Sequence, residues 1–457
     1  MSILKKTILL LGDIIVLYIS LIITIVLRYD LDTFFSRFAA HLGPFSLLFL
    51  LWILVFYIAD FYVLKTFKNR GVLAGTIIRA VLITTTLSMI FFYLFGDSFF
   101  RLTPKTNLFI FSGVFTILDF LLRRSLIQAF ASGAINTVII GNTPRIKEII
   151  AHVKENPHSG YSIAHWMHDP QTINFQKLRE LLRETSAGLV VIHPHLTKDF
   201  SMTNLAYRLL ALEVNIMNSL DFYETLFEKE ALDEASEEWF IHNITPRKPF
   251  YDTIKRLIDI FLATLISIPF LPFFILIMLI MPFTSRKGPV IYKQERLGKN
   301  GKPFMLYKFG TMNHDDDGPL ATVENDVRIT IFGKMLRFTH FDELPQLINI
   351  LKGDISFTGP RPERSELVKE YSALPYYEIR HVVKPGLTGW AQINYRPSAT
   401  PEEAYEKLRY DMYYIKNRSL LLDLLIILKT AKYIFTTHKP IRSTDSPPVG
   451  GSPQASP

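Results

Sequence analysis

The chain has no cysteine. That absence excludes disulfides, thiolate metal sites and a cysteine nucleophile, so any chemistry rests on carboxylates, hydroxyls, Lys, His and Arg. Charge is sparse as well: 20% of the 457 residues are charged against 49% hydrophobic, and the mean hydropathy is +0.21. These values are too apolar for an ordinary soluble protein and too polar for a pure channel, which leaves a mixed membrane and globular protein. The net charge of +8 suits nucleic acid, anionic lipid or phosphate-rich substrates and does not choose among them.

A further shortage concerns glycine at one turn. Within residues 135–225, short β-branched runs (INTVIIG, GLVVIHP, VNIMNSL) alternate with polar helical segments (PRIKEIIAHVKEN, TNLAYRLLALE). This alternation predicts a small parallel α/β domain. Its first strand ends at Gly141, where a dinucleotide-binding fold carries a three-glycine fingerprint. Gly141 stands there without the other two, so the backbone cannot approach a pyrophosphate closely and a nicotinamide cofactor is not expected. A membrane-bound dehydratase using NAD is disfavoured for the same reason. His193 and His195 flank a proline and read as a solvated loop rather than a metal pair.

What the sequence does contain is long apolar runs. Stretches at about residues 7–27, 43–64, 77–95 and 107–122 are each of membrane-spanning length. Lys5 and Lys6 precede the first, Lys65, Lys68 and Arg70 lie between the second and third, and Arg123 and Arg124 follow the fourth. Basic loops stay cytoplasmic, which places the N-terminus and residue 125 on that side. Asp13, Asp60, Arg79 and Asp119 fall near the cytoplasmic ends of these spans; reaching the interface or pairing with a nearby Lys or Arg explains them better than a relay.

A fifth run, within residues 254–284, is interrupted near its middle by Pro269 and Pro272, where a kink or break is expected. Lys255 and Arg256 precede it, and Arg286, Lys287 and Lys293 follow it. Basic residues at both ends favour a re-entrant helix that enters one leaflet and returns over a proline-kinked spanning helix. Residues after 288 are polar and mixed. The helical candidate near 419–437 is too charged to span and reads as interfacial or packed. The tail, residues 439–457, is rich in Pro, Ser and Gly and is expected to be disordered.

In HFDELPQLINILKGD the adjacent Asp342 and Glu343 point about 100° apart on a helix, which suits two different roles better than a shared proton. On this segment alone Asp342 reads first as a helix N-cap. The surroundings shift that balance. Lys308, Arg328, Arg337, Arg361, Arg364, Lys384 and Arg396 are placed on loops of the same domain, and prolines on both sides of Arg361 hold its guanidinium ready for a phosphate. An apolar anchor beside these cations points to a phosphate at a lipid surface rather than to nucleic acid.

Four ordered motifs carry a resemblance: KQERLGKNGKPFMLYKF (293–309), FDELPQLINILKGDISFTGPRP (341–362), KPGLTGWAQIN (384–394) and YDMYYIKNRSLLLD (410–423). Over about residues 245–437 the chain resembles the bacterial sugar transferase family, the monotopic polyprenyl-phosphate phosphoglycosyl transferases. With its four spans and degenerate α/β domain it is similar to the large members of that family. The resemblance implies a multi-domain membrane protein. Residues 1–128 form four transmembrane helices, residues 129–247 a small parallel Rossmann-like domain, and residues 248–438 an α-rich catalytic domain with a re-entrant membrane helix.

It also implies an activity: transfer of a sugar 1-phosphate from a nucleotide diphosphate sugar, usually a UDP-sugar, to undecaprenyl phosphate, with UMP released and Mg²⁺ required. That is the first membrane step of exopolysaccharide, capsule or O-antigen synthesis. By motif, Asp342 is the nucleophile that takes the phosphosugar, Glu343 assists the second step, and the pair is the metal candidate. Lys308, Arg337 and Arg361, with Arg396 and Lys384, are the substrate-binding candidates. The resemblance places the chain in the bacterial inner membrane as a multi-pass protein whose catalytic domain faces the cytoplasm, with a homodimer as one expected assembly. Two positions depart from the family pattern: Leu271-Pro272 replaces Ser-Pro at the helix break, and Lys308-Phe309-Gly310 replaces Lys-Phe-Arg. The alternative is a non-catalytic membrane scaffold of polysaccharide assembly that retains the fold.

Overall fold

The computed structural model describes residues 3–59, 61–62, 70–95, 105–132, 134–156, 159–168, 175–197, 214–245, 247–284, 288–313, 328–395 and 400–436. The chain divides into two compact units, residues 1–235 and 236–457.

The first unit begins with α1 (Ile3–Arg28), α2 (Phe34–Ile58), α3 (Arg70–Phe95) and α4 (Lys105–Ser132). Each contains a segment long and apolar enough to cross a membrane. Rings of Phe45, Phe49, Trp52, Phe56, Phe111 and Phe115 fill their shared core. Two of the charges flagged in the sequence lie inside this bundle rather than at an interface. Asp13 and Asp119 are fully buried and Arg123 is 1% exposed. The Arg123 guanidinium donates to both oxygens of Asp13 at 2.7 and 2.8 Å, to Asp119 at 2.9 Å and to the Phe61 carbonyl at 2.7 Å. Pairing therefore accounts for Asp13 and Asp119, whereas Arg79 is exposed and turns back onto the Gly75 carbonyl. Asp60 lies outside the described residues.

The α/β part follows, with β1 (Ile135–Ile140), α5 (Pro144–Glu155), β2 (Tyr161–Met167), α6 (Phe175–Glu184), β3 (Leu189–Ile192), α7 (Pro194–Thr197), β4 (Asn215–Asn218) and α8 (Ser219–Phe227). The sheet is parallel in the order β2-β1-β3-β4, as the alternation predicts. The strand β2 is absent from the sequence reading because it is an edge strand whose residues are at most half-buried, so it lacks the apolar run that marks β3. Residues 198–213, which include the expected helix TNLAYRLLALE, are outside the described residues.

The second unit contains α9 (Glu237–Asn243), the long helix α10 (Pro249–Ile280), the antiparallel hairpin β5 (Ile291–Leu297) and β6 (Pro303–Phe309), α11 (Ile331–Phe338), α12 (Gln346–Lys352), β7 (Ser356–Thr358), α13 (Ser365–Tyr371), β8 (Gly386–Thr388), α14 (Trp390–Asn394), α15 (Pro401–Asn417) and α16 (Leu420–Thr436). Helix α10 has 32 residues and stays helical through Pro269 and Pro272, so the expected break is not an interruption of the helix. Each proline withdraws one hydrogen bond, and the turns on either side keep theirs.

Both ends of α10 pack on the same unit. Near its start, Lys255 pairs with Asp423 at 2.8 Å and Arg256 donates to the carbonyls of Ile350 and Leu351. Near its end, Ile277 and Met281 join Phe309 and Leu336 in one apolar cluster. Between them Ala263 packs with Leu306, Ile350 and Phe357. Only 11% of its apolar segment is buried, and Leu257, Phe261, Leu265, Ile268 and Leu279 are more than half exposed. The helix therefore presents one side to its own domain and the other, unpartnered and apolar, outward. The packed reading of α16 also holds at Asp423, which is buried and accepts hydrogen bonds from Tyr251, Thr358 and Tyr414. Residues 285–287 and 437–457, and with them Arg286, Lys287 and the tail, are outside the described residues.

Candidate active site

Asp342 and Glu343 lie in a single 3₁₀ turn, Phe341–Glu343, between α11 and α12. The turn is entered through His340 at φ 57°, a left-handed conformation that a residue other than glycine adopts only when its surroundings hold it. The ring of Phe341 supplies part of that hold: it packs against Phe270 at 5.8 Å and Phe273 at 6.3 Å. Those two rings each directly follow a proline of α10, Pro269 and Pro272, so the carboxylates are set beside the middle of the apolar helix.

Glu343 is the clamped member of the pair. Its Oε1 accepts from Lys308 Nζ at 2.6 Å and from Arg361 Nη2 at 3.1 Å. Lys308 stands on β6 and shares a strand face with Leu306, so the alternation that buries Leu306 turns the ammonium toward Glu343. Burial pushes the Glu343 carboxyl up, but the Lys308 and Arg361 charges outweigh it and hold the group far below the usual glutamate range. Burial also pulls the Lys308 ammonium down, against the pull of Glu343.

Asp342 is held differently. Among the described residues no hydrogen bond reaches its carboxylate, and it caps no helix: His340 and Pro345 occupy the N-cap positions. Burial and the neighbouring Glu343 push its carboxyl up, opposed by the charges of Lys308, Arg337 and His340. Two adjacent carboxylates in environments that drive them apart are the arrangement expected for a division of chemical roles.

Arg361 reaches the site because two loops meet backbone to backbone. Strands β7 and β8 pair in parallel, and a Cβ on Gly386 would lie 2.2 Å from the Gly359 nitrogen, so that approach requires glycine. Behind the loop, Arg380 is 4% exposed; it donates to the Arg361 carbonyl at 3.0 Å and pairs with Asp411 at 3.0 Å. Glu363 pairs with Lys407 and Arg380, whose charges overcome the burial that would raise its carboxyl and bring it down to about 2. Sequence reading missed Arg380 as a support of the site; the residues around it in sequence, YYEIRHVV, carry no motif that sets it apart from a surface arginine.

The remaining candidates divide. Arg337, on α11, donates its Nε to Thr311 Oγ1 at 2.8 Å, and its charge bears on Asp342. Lys308 and Arg337 thus sit on regular elements, contrary to the expectation of loops. Lys384 is not with the carboxylates: its electrostatic neighbours are Arg256, Asp259, Lys299 and Asp354, because the KPG turn directs the backbone, not the lysine side chain, at the GPRP loop. Arg396 lies outside the described residues. Gly310 donates its N–H to the Val290 carbonyl and continues the hairpin.

For magnesium the donor set fits on one condition. Among the described residues no group of three or more His, Asp or Glu could hold a metal, but Asp342 and the Oε2 of Glu343 carry no described hydrogen bond. Mg²⁺ is commonly held by one or two carboxylates, waters and substrate phosphates, so the pair suffices if the substrate supplies the phosphate oxygens.

The α/β domain has its own candidate site, at the carboxyl ends of β1 and β3, where the strand order reverses and ligands of open α/β sheets bind. Here the position is occupied by the chain. Glu234 Oε1 accepts from the Arg145 amide at the start of α5 at 3.1 Å, and its Oε2 meets His193 Nε2 at 3.2 Å. Thr143 caps the Ile146 amide beside it. His193 is therefore buried rather than solvated, and His195 alone of the two is exposed. The carboxylate stands where a phosphate would meet the helix N-terminus. Calorimetry on the full-length protein with NAD is expected to show no saturable heat at micromolar ligand, and a saturable isotherm would overturn the assignment of Glu234 as the occupant.

A family model described as "Bacterial sugar transferase" matches residues 250–437, and one described as "CoA-binding domain" matches residues 57–183. The UDP-glucose:undecaprenyl-phosphate glucose-1-phosphate transferase of Klebsiella pneumoniae is 32% identical over 373 residues, covering 75% of this chain and 78% of that protein. The protein of the same name from Escherichia coli (strain K12) is 30% identical over 404 residues, 82% of this chain and 84% of the other. The chain belongs to the bacterial sugar transferase family. It is an enzyme of that family, with apolar helices at its N-terminus, a parallel sheet after them and an α-rich C-terminal region. A UDP-N-acetylgalactosamine-undecaprenyl-phosphate N-acetylgalactosaminephosphotransferase of Aeromonas hydrophila is 39% identical over 216 residues; this match covers 47% of the chain and half of the Aeromonas protein. This family's C-terminal model contains the carboxylate pair, Lys308, Arg337, Arg361 and all of α10 from Phe250 onward.

Proposed function

We propose that the protein transfers a sugar 1-phosphate from a UDP-sugar to undecaprenyl phosphate, releasing UMP, at the start of exopolysaccharide, capsule or O-antigen synthesis. The observation that carries this reading is the unlike pair: Asp342, with no hydrogen-bond partner among the described residues, beside a Glu343 clamped by Lys308 and Arg361. In the first step an Asp342 oxygen attacks the phosphorus that bears the sugar. The bond to the UMP oxygen breaks, and UMP leaves with its electron pair. In the second step an oxygen of undecaprenyl phosphate attacks the same phosphorus and expels the Asp342 carboxylate. Splitting the transfer in this way separates departure of UMP from attack by the lipid phosphate, so the lipid phosphate meets an acyl phosphate rather than the intact diphosphate.

Glu343 keeps Lys308 and Arg361 in place, and those two cations offset charge gathering on the phosphoryl oxygens. Magnesium, when bound, supplies further charge neutralisation at those oxygens. Incubating the full-length protein with undecaprenyl phosphate, Mg²⁺ and a panel of UDP-sugars is expected to release UMP with at least one sugar. If no UMP appears with any of them, the scaffold reading gains, to which Gly310 in the place of an arginine already points.

The acid side of the pH profile follows from Asp342. Attack needs the ionised carboxylate, and burial and Glu343 raise its pKa, so kcat/KM is expected to fall as pH drops through a value above the ordinary aspartate range. Glu343→Gln removes one raising charge and should move that limb of the residual activity to lower pH. A limb that stays in place or moves up would remove Asp342 as its source. The stability sign is opposite at Glu343. Its folded pKa is depressed, so its pairs stabilise above the unfolded glutamate value, and that stability is lost only as pH falls toward the depressed one.

We further propose that α10 enters and leaves the bilayer on one side, with the catalytic unit on the cytoplasmic face of the inner membrane. A straight helix of 32 residues would place its ends about 48 Å apart, across the bilayer, whereas both ends of α10 pack on one polar unit. The lack of native cysteine makes labelling direct. Thr253→Cys and Lys293→Cys should both resist an impermeant maleimide in intact cells and both react after permeabilisation. Reaction of either one from outside would make α10 a spanning helix.

A further inference from the structure

Beside the N-terminal third of α10 lies a cleft of about 470 Å³ lined by Lys255, Arg256, Lys299, Lys384 and Arg418. Its carboxylates are already committed. Asp259 accepts from Ser356 Oγ and the Phe357 amide, Asp252 accepts from the Lys248 amide, and Lys255 is neutralised by Asp423. The other four cations form no ion pair among the described residues, although Asp259 and Asp354 act on Lys384 from a distance. Arg256 donates only to neutral carbonyls of α12. The side chains of Lys299 and Lys384 have no described hydrogen bond or ion pair. Arg418 is 4% exposed; it gives one nitrogen to the Thr245 carbonyl at 2.7 Å, and its Nε, fully buried, has no partner.

Gathering like charges around an unspent buried donor is costly unless an anion completes the site. Burial pulls the Lys384 ammonium down, and Arg256 and Lys299 pull it the same way; Asp259 and Asp354 oppose this without overcoming it, and an anion would relieve what remains. This centre is distinct from the carboxylate site: neither Asp342 nor Glu343 lines the cleft, and the leading charges on Asp342 are Glu343, Lys308, Arg337 and His340. One wall of the cleft is apolar: Leu257 lines it, and Leu257, Phe250 and Phe261 are 62%, 80% and 63% exposed.

We propose that this cleft binds the phosphate of a lipid, with the phosphate among Lys299, Lys384 and Arg418 and the hydrocarbon chain along Leu257 and Phe261. Multiple cations around a phosphate give charge-assisted hydrogen bonds, and the exposed apolar face of α10 supplies what a free phosphate would not use. The lipid is either the polyprenyl phosphate acceptor or an anionic phospholipid of the bilayer. The inference goes beyond the transfer reaction: it needs α10 to meet lipid and does not need Asp342 to react.

Native mass spectrometry of the full-length protein in detergent tests it, with separate titrations of undecaprenyl phosphate, phosphatidylglycerol, undecaprenol and inorganic phosphate. Retention of at least one phosphate-bearing lipid is expected. The Lys299→Gln/Lys384→Gln double variant should weaken that retention about tenfold or more, while Lys384→Arg and Lys308→Gln leave it near the wild-type value. Neither lysine side chain has a described hydrogen bond or ion pair to lose, and matching thermal unfolding of the double variant checks its fold. Tighter retention of undecaprenyl phosphate than of phosphatidylglycerol assigns the acceptor, and equal retention assigns bulk anionic lipid. The proposal fails if undecaprenol is held as tightly as its phosphate, if inorganic phosphate is the one ligand retained, or if the double variant binds like wild type. It fails also if Lys308→Gln, rather than the double variant, abolishes retention, which would put the lipid phosphate at the carboxylate centre.

Discussion

Asp342→Asn is expected to lower UMP release by about four orders of magnitude or more while leaving the thermal unfolding midpoint close to wild type. The size of the first effect follows from removing a nucleophile, since residues that form the covalent intermediate typically cost on that scale. Asparagine keeps the shape of the side chain but cannot form an acyl phosphate. The second expectation follows from the structure. Asp342 caps no helix and accepts no described hydrogen bond, and burial beside Glu343 disfavours its charged form. Its charge therefore contributes no stability, and Asn is neutral or mildly stabilising. With radiolabelled UDP-sugar and no lipid acceptor, label should stay on the wild-type chain and be absent from the variant. Glu343→Gln should lose activity yet retain some label, because its role is to hold Lys308 and Arg361. An Asp342→Asn protein that is folded and releases UMP near the wild-type rate would sink the covalent mechanism.

Replacing Arg123 with Gln is expected to have the largest effect on folding. The substitution leaves Asp13 and Asp119, both fully buried, without their shared cation inside a bundle of apolar helices. Breaking a buried ion pair by removing one partner costs about 3–5 kcal/mol. The Phe61 carbonyl also loses its donor. The variant should express as aggregated or rapidly degraded protein, with a strongly lowered unfolding midpoint in detergent. Arg123→Lys should rescue it only in part, since an ammonium cannot reproduce the fork that meets both Asp13 oxygens. A triple change, Asp13→Leu with Asp119→Leu and Arg123→Met, should be milder than Arg123→Gln alone, because it removes the charges together with the need to pair them. If Arg123→Gln is as stable as wild type, the cluster is not what holds these helices.

Sequence periodicity revealed those features whose signal is local. Apolar runs mark α1 to α4 and α10, and β-branched runs mark β1, β3 and β4. The segment 341–362 brings Asp342, Glu343 and Arg361 within one short stretch, and Lys308 joins them across the β6 strand. What sequence could not convey depends on side-chain direction and on partners distant in the chain. Lys384 sits in a glycine-proline turn like that of Arg361, yet its ammonium is turned toward Arg256 and Lys299 rather than Glu343. Asp342 is a plausible cap until His340 takes the left-handed turn and removes the helix start from beneath it. Asp13 is 110 residues from Arg123, so a buried pair could not be told from two charges at the membrane edge. His193 looked like a loop residue because its acceptor, Glu234, arrives 41 residues later.

That contact between Glu234 and the start of α5 has a thermodynamic consequence. A domain stabilised by a dissociable ligand gains RT ln(1 + [L]/Kd), so its folded population follows the supply of that ligand. Here the anion at the α5 terminus is covalently tethered to the domain it fills, at an effective concentration set by the length of chain between them and on the order of millimolar or higher. Its occupancy is the same in a starved cell as in a fed one. Any nucleotide that sought the same amides would have to displace an anion that cannot diffuse away.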